Sequence, residues 1–249
     1  MKYCWILMFL LGNATFSSAQ SYMIVEDRGS VRLLDYASAY LKNQCVHSNI
    51  DIELTKSYGY NLVGYRWDLD SLVLYLEKKG IVENRKVGID KQLDVFKRVV
   101  TEESNLIALW KDTFDKKIRY KCGNYTIVLD MRKGIISCFE NDRLLWSKKN
   151  EIRITGSGFT SRTPTFSLKR KTLLFQYAVL LGDKLVEIDI PSGNKTYLVN
   201  NTMGTLFDYS NDGNYVLYYN RKRQISIYDI NKKKATIFLG WRSAFWLYK

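Results

Sequence analysis

The chain has 249 residues, a formal charge of +13, 46% hydrophobic and 14% aromatic residues, and only two prolines. Such content supplies a packed core rich in strands and excludes a disordered or Pro-rich polymer. The positive balance points to an anionic partner or surface, and by itself to no reaction.

In chain order, Lys2, the apolar run Tyr3 to Leu11 and the small residues Ser17-Ser18-Ala19 read as a secretory signal peptide cleaved after Ala19. The run is too short to span a bilayer. The expected layout is therefore a signal peptide over 1–19 and one domain over 20–249, secreted or periplasmic, with no transmembrane span. Of the cysteines beyond residue 19, Cys138 alternates with apolar residues and reads as buried, while a Cys45–Cys122 disulfide stays open.

Tyr22 to Val25 and Val31 to Asp35 read as two strands joined by a tight turn. Residues 36–49 look like an insertion with a short helix. Asp70 to Tyr75 and Lys86 to Asp90 follow as strands, then an apolar run over 93–100. A second insertion covers 101–117. Gly123-Asn124-Tyr125 leads into strands to Leu129, over Ile135 to Glu140 and over Leu144 to Trp146. Phe166-Ser167, Thr172 to Phe175, Leu185 to Asp189 and Thr196 to Val199 form one complete unit of four strands. Thr205 to Tyr209, Tyr215 to Tyr219, Ile225 to Asp229 and Ala235 to Leu239 form another. Ala244 to Tyr248 reads as a first strand with nothing after it, the strand that the N-terminal unit lacks.

An acid ends the third strand of every unit: Asp35, Asp90, Glu140, Asp189 and Asp229, at spacings that narrow from 55 to 40 residues. A repeated acid serves the repeat, so these are expected to cap their own turns rather than form a reaction centre. Counting them predicts an all-β propeller of five four-stranded blades, closed by the C-terminal strand pairing with the N-terminal strands; four and six blades are the alternatives.

Ser210-Asn211-Asp212-Gly213-Asn214-Tyr215-Val216-Leu217-Tyr218 with Ile227-Tyr228-Asp229 resembles the repeat of TolB-type and WD-repeat-like β-propellers, with Asn211 where that repeat carries Pro. The resemblance implies a fold and, for TolB-type proteins, a periplasmic setting. It selects no function, because the fold hosts scaffolds, receptors and hydrolases.

The turns between second and third strands carry cations in every unit: Arg28; Lys78, Lys79, Arg85 and Lys86; Arg132 and Lys133; Lys184; and Arg221, Lys222 and Arg223. Equivalent turns of a propeller share one end, so one positive face is expected, suited to an acidic protein or an anionic glycan or lipid surface. The bland reading is that exposed turns simply favour such residues. Nucleic acid is not the expected partner, because these turns lack interleaved aromatics. The sole histidine, His47, has no nucleophile motif around it, and no metal or cofactor site is read. Trp67, Trp110, Trp146, Trp241 and Trp246 are expected between blades rather than in a sugar cleft. The leading expectation is a non-catalytic binding propeller. The alternative, a glycosidase-like hydrolase, needs paired carboxylates in the central funnel, and first-strand acids reduce to Asp208.

Overall fold

The computed structural model describes residues 22–36, 51–68, 71–88, 108–112, 117–130, 132–149, 164–167, 169–177 and 183–247. Residues 1–19, Cys45, His47, Asp90, the run 93–100 and most of both expected insertions lie outside the described residues. Within the second insertion, Ala108–Asp112 forms a strand, and Lys117 opens the next one.

Every regular element described is a β-strand, as the short apolar runs between turn residues dictate. β1 (Tyr22–Asp27), β2 (Ser30–Asp35), β3 (Asp51–Lys56) and β19 (Trp241–Trp246) make one sheet in the order β19-β1-β2-β3. β4 (Asn61–Asp68), β5 (Ser71–Lys78) and β6 (Ile81–Gly88) make the second. β7 (Ala108–Asp112), β8 (Lys117–Cys122), β9 (Tyr125–Asp130), β10 (Ile135–Glu140) and β11 (Arg143–Lys148) make the third. The fourth runs in sequence order through β12 (Thr165–Ser167), β13 (Thr172–Tyr177), β14 (Asp183–Asp189), β15 (Lys195–Tyr209), β16 (Tyr215–Asn220), β17 (Ile225–Asp229) and β18 (Lys234–Phe238).

Three details depart from the sequence reading, the first being that Lys184 lies inside β14 and not in a turn. The hairpin after β5 turns at Lys79-Gly80, so Arg85 and Lys86 lie inside β6 and not in a turn. The runs at 196–199 and 205–209 belong to one 15-residue strand, β15, which pairs with β14 through Lys195–Thr202 and with β16 through Thr202–Tyr209. A register irregularity between Thr202 and Phe207 lets one strand serve two four-strand groups.

The sheets are stacked against one another by strands apolar on both faces. Every residue of β1 and all but the last of β13 are buried, while β5 and β16 bury one face through Leu72, Leu74 and Leu76 or Val216 and Tyr218 and the centre of the other through Val73 or Leu217. Alternation on β1 shows how: Tyr22 and Ile24 pack with Leu62, Leu72, Leu74 and Leu76 of the second sheet. Met23 and Val25 pack with Leu217, Ile225, Ile227 and Trp246. The third sheet packs Ile127, Leu129 and Cys138 against Leu173, Phe175 and Ile188.

Hydrogen bonds link successive first strands. Thr165 Oγ1 donates to the Phe207 carbonyl at 3.3 Å, Trp246 Nε1 to the Asp208 carbonyl at 3.3 Å, and Tyr65 Oη to the Trp246 carbonyl at 2.6 Å. β19 itself pairs antiparallel with β1 from Met23↔Trp246 to Asp27↔Trp241, so the two ends of the described chain share a sheet.

Candidate anion-binding surface

The hairpin between β1 and β2 turns on Arg28 and Gly29, with φ of 50° and 81°, and that between β5 and β6 on Lys79 and Gly80, with φ of 53° and 81°. Two consecutive left-handed residues are the signature of a tight hairpin turn, and they throw the Arg28 and Lys79 side chains into solvent. Glycine at position 29 has a second cause: a Cβ there would sit 2.7 Å from the Tyr58 ring. The turn between β16 and β17 is held by Asn220, whose Oδ1 accepts from the amides of Lys222 at 2.9 Å and Gln224 at 3.0 Å. Asp130 does the same after β9, accepting from the amides of Arg132 at 3.1 Å and Lys133 at 2.9 Å. Short polar side chains thus fix the loops and leave the cations outward.

Lys78, Lys79, Arg132, Lys133, Arg221, Lys222 and Arg223 are exposed, and Lys184 is half-buried inside β14. Register places several of these turns together. Asp183 pairs with Thr202 and Thr202 with Asn220, so the start of β14 and the Arg221–Arg223 turn lie at one end of the fourth sheet, while Lys184 Nζ reaches to within 5.3 Å of the Tyr197 ring. The Ser57 amide donates to the Gly29 carbonyl at 2.8 Å, and a Cβ on Gly59 would lie 3.6 Å from Lys78 Nζ. Those contacts bring the Arg28 and Lys78–Lys79 turns to one end of the first two sheets.

The same contacts bring in residues that the sequence reading did not select. Tyr58, 69% exposed, lies over Gly29 with Lys56 Nζ 6.0 Å from its ring centre. Lys78 Nζ and the Arg85 guanidinium lie 4.9 Å and 5.1 Å from the Tyr60 ring, and Tyr60 Oη donates to Glu83 at 2.8 Å. Aromatics do interleave with cations at this end, supplied by the link from β3 to β4 rather than by the basic turns. The run Lys56-Ser57-Tyr58-Gly59-Tyr60 was their only signal.

The repeated acids among the described residues, Asp35, Glu140, Asp189 and Asp229, lie at strand ends. Asp189 Oδ2 accepts from the Ser192 amide at 2.9 Å, and Asp229 Oδ1 from the Lys232 amide at 2.9 Å. Asp35 is buried and Glu140 half-buried at the ends of β2 and β10. Three further carboxylates are buried, Asp27, Glu187 and Glu26, and none stands out in the sequence. Glu187 accepts from Arg170 Nε at 3.0 Å and Nη2 at 3.3 Å and from Tyr209 Oη at 2.8 Å. Glu26, wholly buried, accepts from the Leu62 amide of the second sheet at 2.9 Å and from Ser243 Oγ at 3.4 Å. Glu187 and Glu26 tie strands or sheets, while Glu26 Oε1 accepts no hydrogen bond and lies 3.8 Å from Arg242 Nη1.

Of the tryptophans, Trp246 is buried, Trp241 stacks on Phe238 at 4.2 Å, and Trp146 covers Gly193. The side chain of Trp110 lies outside the described residues. A cleft of about 420 Å³ opens on the third sheet and reaches Lys133 at its basic end.

Neither a protein-family model nor a curated protein matches this chain. Among solved structures it is similar to TolB from Acinetobacter baumannii, at 11% identity over 92% of this chain and 67% of that one, with a TM-score of 0.47. It is similar to an uncharacterized protein from Listeria monocytogenes EGD-e, at 12% identity over 89% and 91% of the two chains, with a TM-score of 0.46. A third likeness is to an oligogalacturonate lyase in complex with manganese, at 11% identity, 83% and 69% coverage and a TM-score of 0.39. The chain resembles TolB-type and other propeller-like proteins in fold.

Proposed function

We propose that this chain is an exported, non-catalytic binding propeller of five blades, closed by the β19–β1 pairing, which holds an acidic protein or an anionic glycan or lipid surface on its basic hairpin face. Four inter-sheet joints among the described residues support the order of five groups: third sheet to β12–β14, that group to β16–β18, those strands to the first sheet, and the first sheet to the second, which leaves the joint between the second and third sheets as part of the proposal. The observation that carries the binding reading is the set of exposed cations on equivalent hairpins, with the turns of the first two sheets held side by side.

Lys79, Lys133, Arg221, Lys222 and Arg223 form no side-chain ion pair among the described residues, which leaves their charge for a partner. Each exposed cation contributes about 1 kcal/mol near an anionic surface, so the effect is collective and sensitive to salt. Glu26 and Glu187 support a binding role over a hydrolytic one, because each ties strands or sheets together.

The test is charge reversal at Arg132, Lys133, Arg221, Lys222 and Arg223 together, with binding measured to polyglutamate, an acidic polysaccharide and anionic vesicles. The parent is expected to bind at least one of them, more weakly at high salt, and the variant at least tenfold more weakly. Unchanged affinity for every ligand that the parent binds rules the face out.

A further inference from the structure

Of the second strands of their groups, β1 and β13 are buried on both faces, and β5 and β16 bury Val73 and Leu217 at the centre of their second face, but β9 buries no residue on that face. Ile127 and Leu129 are buried against the next sheet, while Thr126, Val128 and Asp130, which alternate with them, are only half-buried. The same division runs across the third sheet. Ile118, Tyr120, Ile136 and Cys138 face the core, and Arg119, Ser137 and Phe139 face the cleft. Cations and hydroxyls in the middle of a sheet face suit a polar occupant.

Register orders the chemistry along this cleft. Lys117 pairs with Asp130 and Asp130 with Ile135, which places Lys117 at the end where Lys133 also lines the wall. Arg119, Val128 and Ser137 form the next row of this face, and Ser137 Oγ lies 2.9 Å from Ser147 Oγ. Thr126 pairs with Phe139 at the far end. From Asp130 to Thr126 is four residues of strand, roughly 13 Å. Asp130 and Asp142 also line the cleft, so its three cations face two carboxylates, and Asp130 Oδ1 accepts from the amides of Arg132 and Lys133.

We propose that this cleft binds a sugar acid. Its carboxylate meets Lys117, Arg119 and Lys133, its hydroxyls meet Ser137, Ser147 and Thr126, and the C–H face of a ring lies over Val128 and Phe139. A bare phosphate would fill only the basic end. A volume of about 420 Å³ is that of a small-molecule site and fits one or two sugar rings. The site goes beyond the hairpin surface and shares only Lys133 with it.

The test is calorimetric titration with a short uronic-acid oligosaccharide and its neutral glucose counterpart. Saturable binding of the uronate alone is expected, weakened at least tenfold in Arg119→Glu and abolished in Ser147→Trp, which fills the cleft without changing charge. The triple variant Arg221→Glu, Lys222→Glu, Arg223→Glu is expected to bind it as the parent does, even where polyanion binding by the hairpin face is lost. Thermal unfolding of each variant certifies its fold. The inference is overturned by no binding of the uronate, by equal binding of the neutral sugar, by Arg119→Glu binding like the parent, or by loss in the triple variant alone. None of those results decides the hairpin-face reading, which the polyanion panel tests separately.

Discussion

At the scale of single residues, the buried polar groups carry the most risk and the clearest predictions. Tyr209 is buried, donates to Glu187 at 2.8 Å and lies 3.1 Å from Thr172 Oγ1. Burial, followed by the Glu187 charge, holds its phenol well above the ordinary value of 10.0. A phenol raised in the fold keeps its proton where the unfolded chain loses it. Its stabilising contribution is therefore complete below pH 10 and is lost as pH rises beyond that. Tyr209→Phe is expected to cost about 1–2 kcal/mol at neutral pH, from the hydrogen bond lost to Glu187, and to flatten the decline in stability above pH 10. Urea melts at pH 8 and pH 11 check both. Cys138 is wholly buried, and burial, then the Glu140 charge, pushes its thiol up to about 12. It is expected to resist a maleimide at pH 8 in the folded protein and to react after denaturation, read by mass spectrometry.

At the scale of elements, much was legible in the sequence. Turn chemistry such as Asp212-Gly213 and apolar runs such as Tyr215 to Tyr219 located β16 and its neighbours, because strand and turn preferences act locally. Three features were not legible. The continuity of β15 through Thr202 to Phe207 depends on pairing with strands on either side. The position of Arg85 within β6 depends on where a hairpin chooses to turn. Glu26 looks like one more surface acid until the Leu62 amide of another sheet is brought against it. The candidate face was legible as charge on turns, whereas its tyrosines and the cleft on the third sheet arise only from tertiary contact. Trp246 stands where these elements meet: it is buried, pairs with Met23 and donates to the Asp208 carbonyl. Trp246→Ala is expected to destabilise by about 3–5 kcal/mol, measured as a lower denaturant midpoint.

At the scale of the whole molecule, residues 244–247 belong to two cores at once. Ala244 and Trp246 enter the cluster with Met23 and Leu217, while Leu247 and Phe245 pack with Tyr22 and Leu72. Deleting 244–249 is expected to abolish a single cooperative unfolding transition and to raise binding of a hydrophobic dye, because it uncovers β1 as well as removing buried area. A deletion protein that melts as sharply as the parent, at the same temperature, contradicts that view.

The pairing of β1 with β19 also has a consequence in time. β1 is made early and its partner is made last of the described strands, so at ordinary synthesis rates β1 waits on the order of tens of seconds for it. Until then Met23, Ile24 and Val25 sit on an open strand edge, the form of backbone that recruits other chains. Closing so long a loop is slow by topology. The pairing of β1 with β19 is therefore the folding step most exposed to association with other chains, and shielding β1 until β19 is made is expected to raise the yield of folded protein.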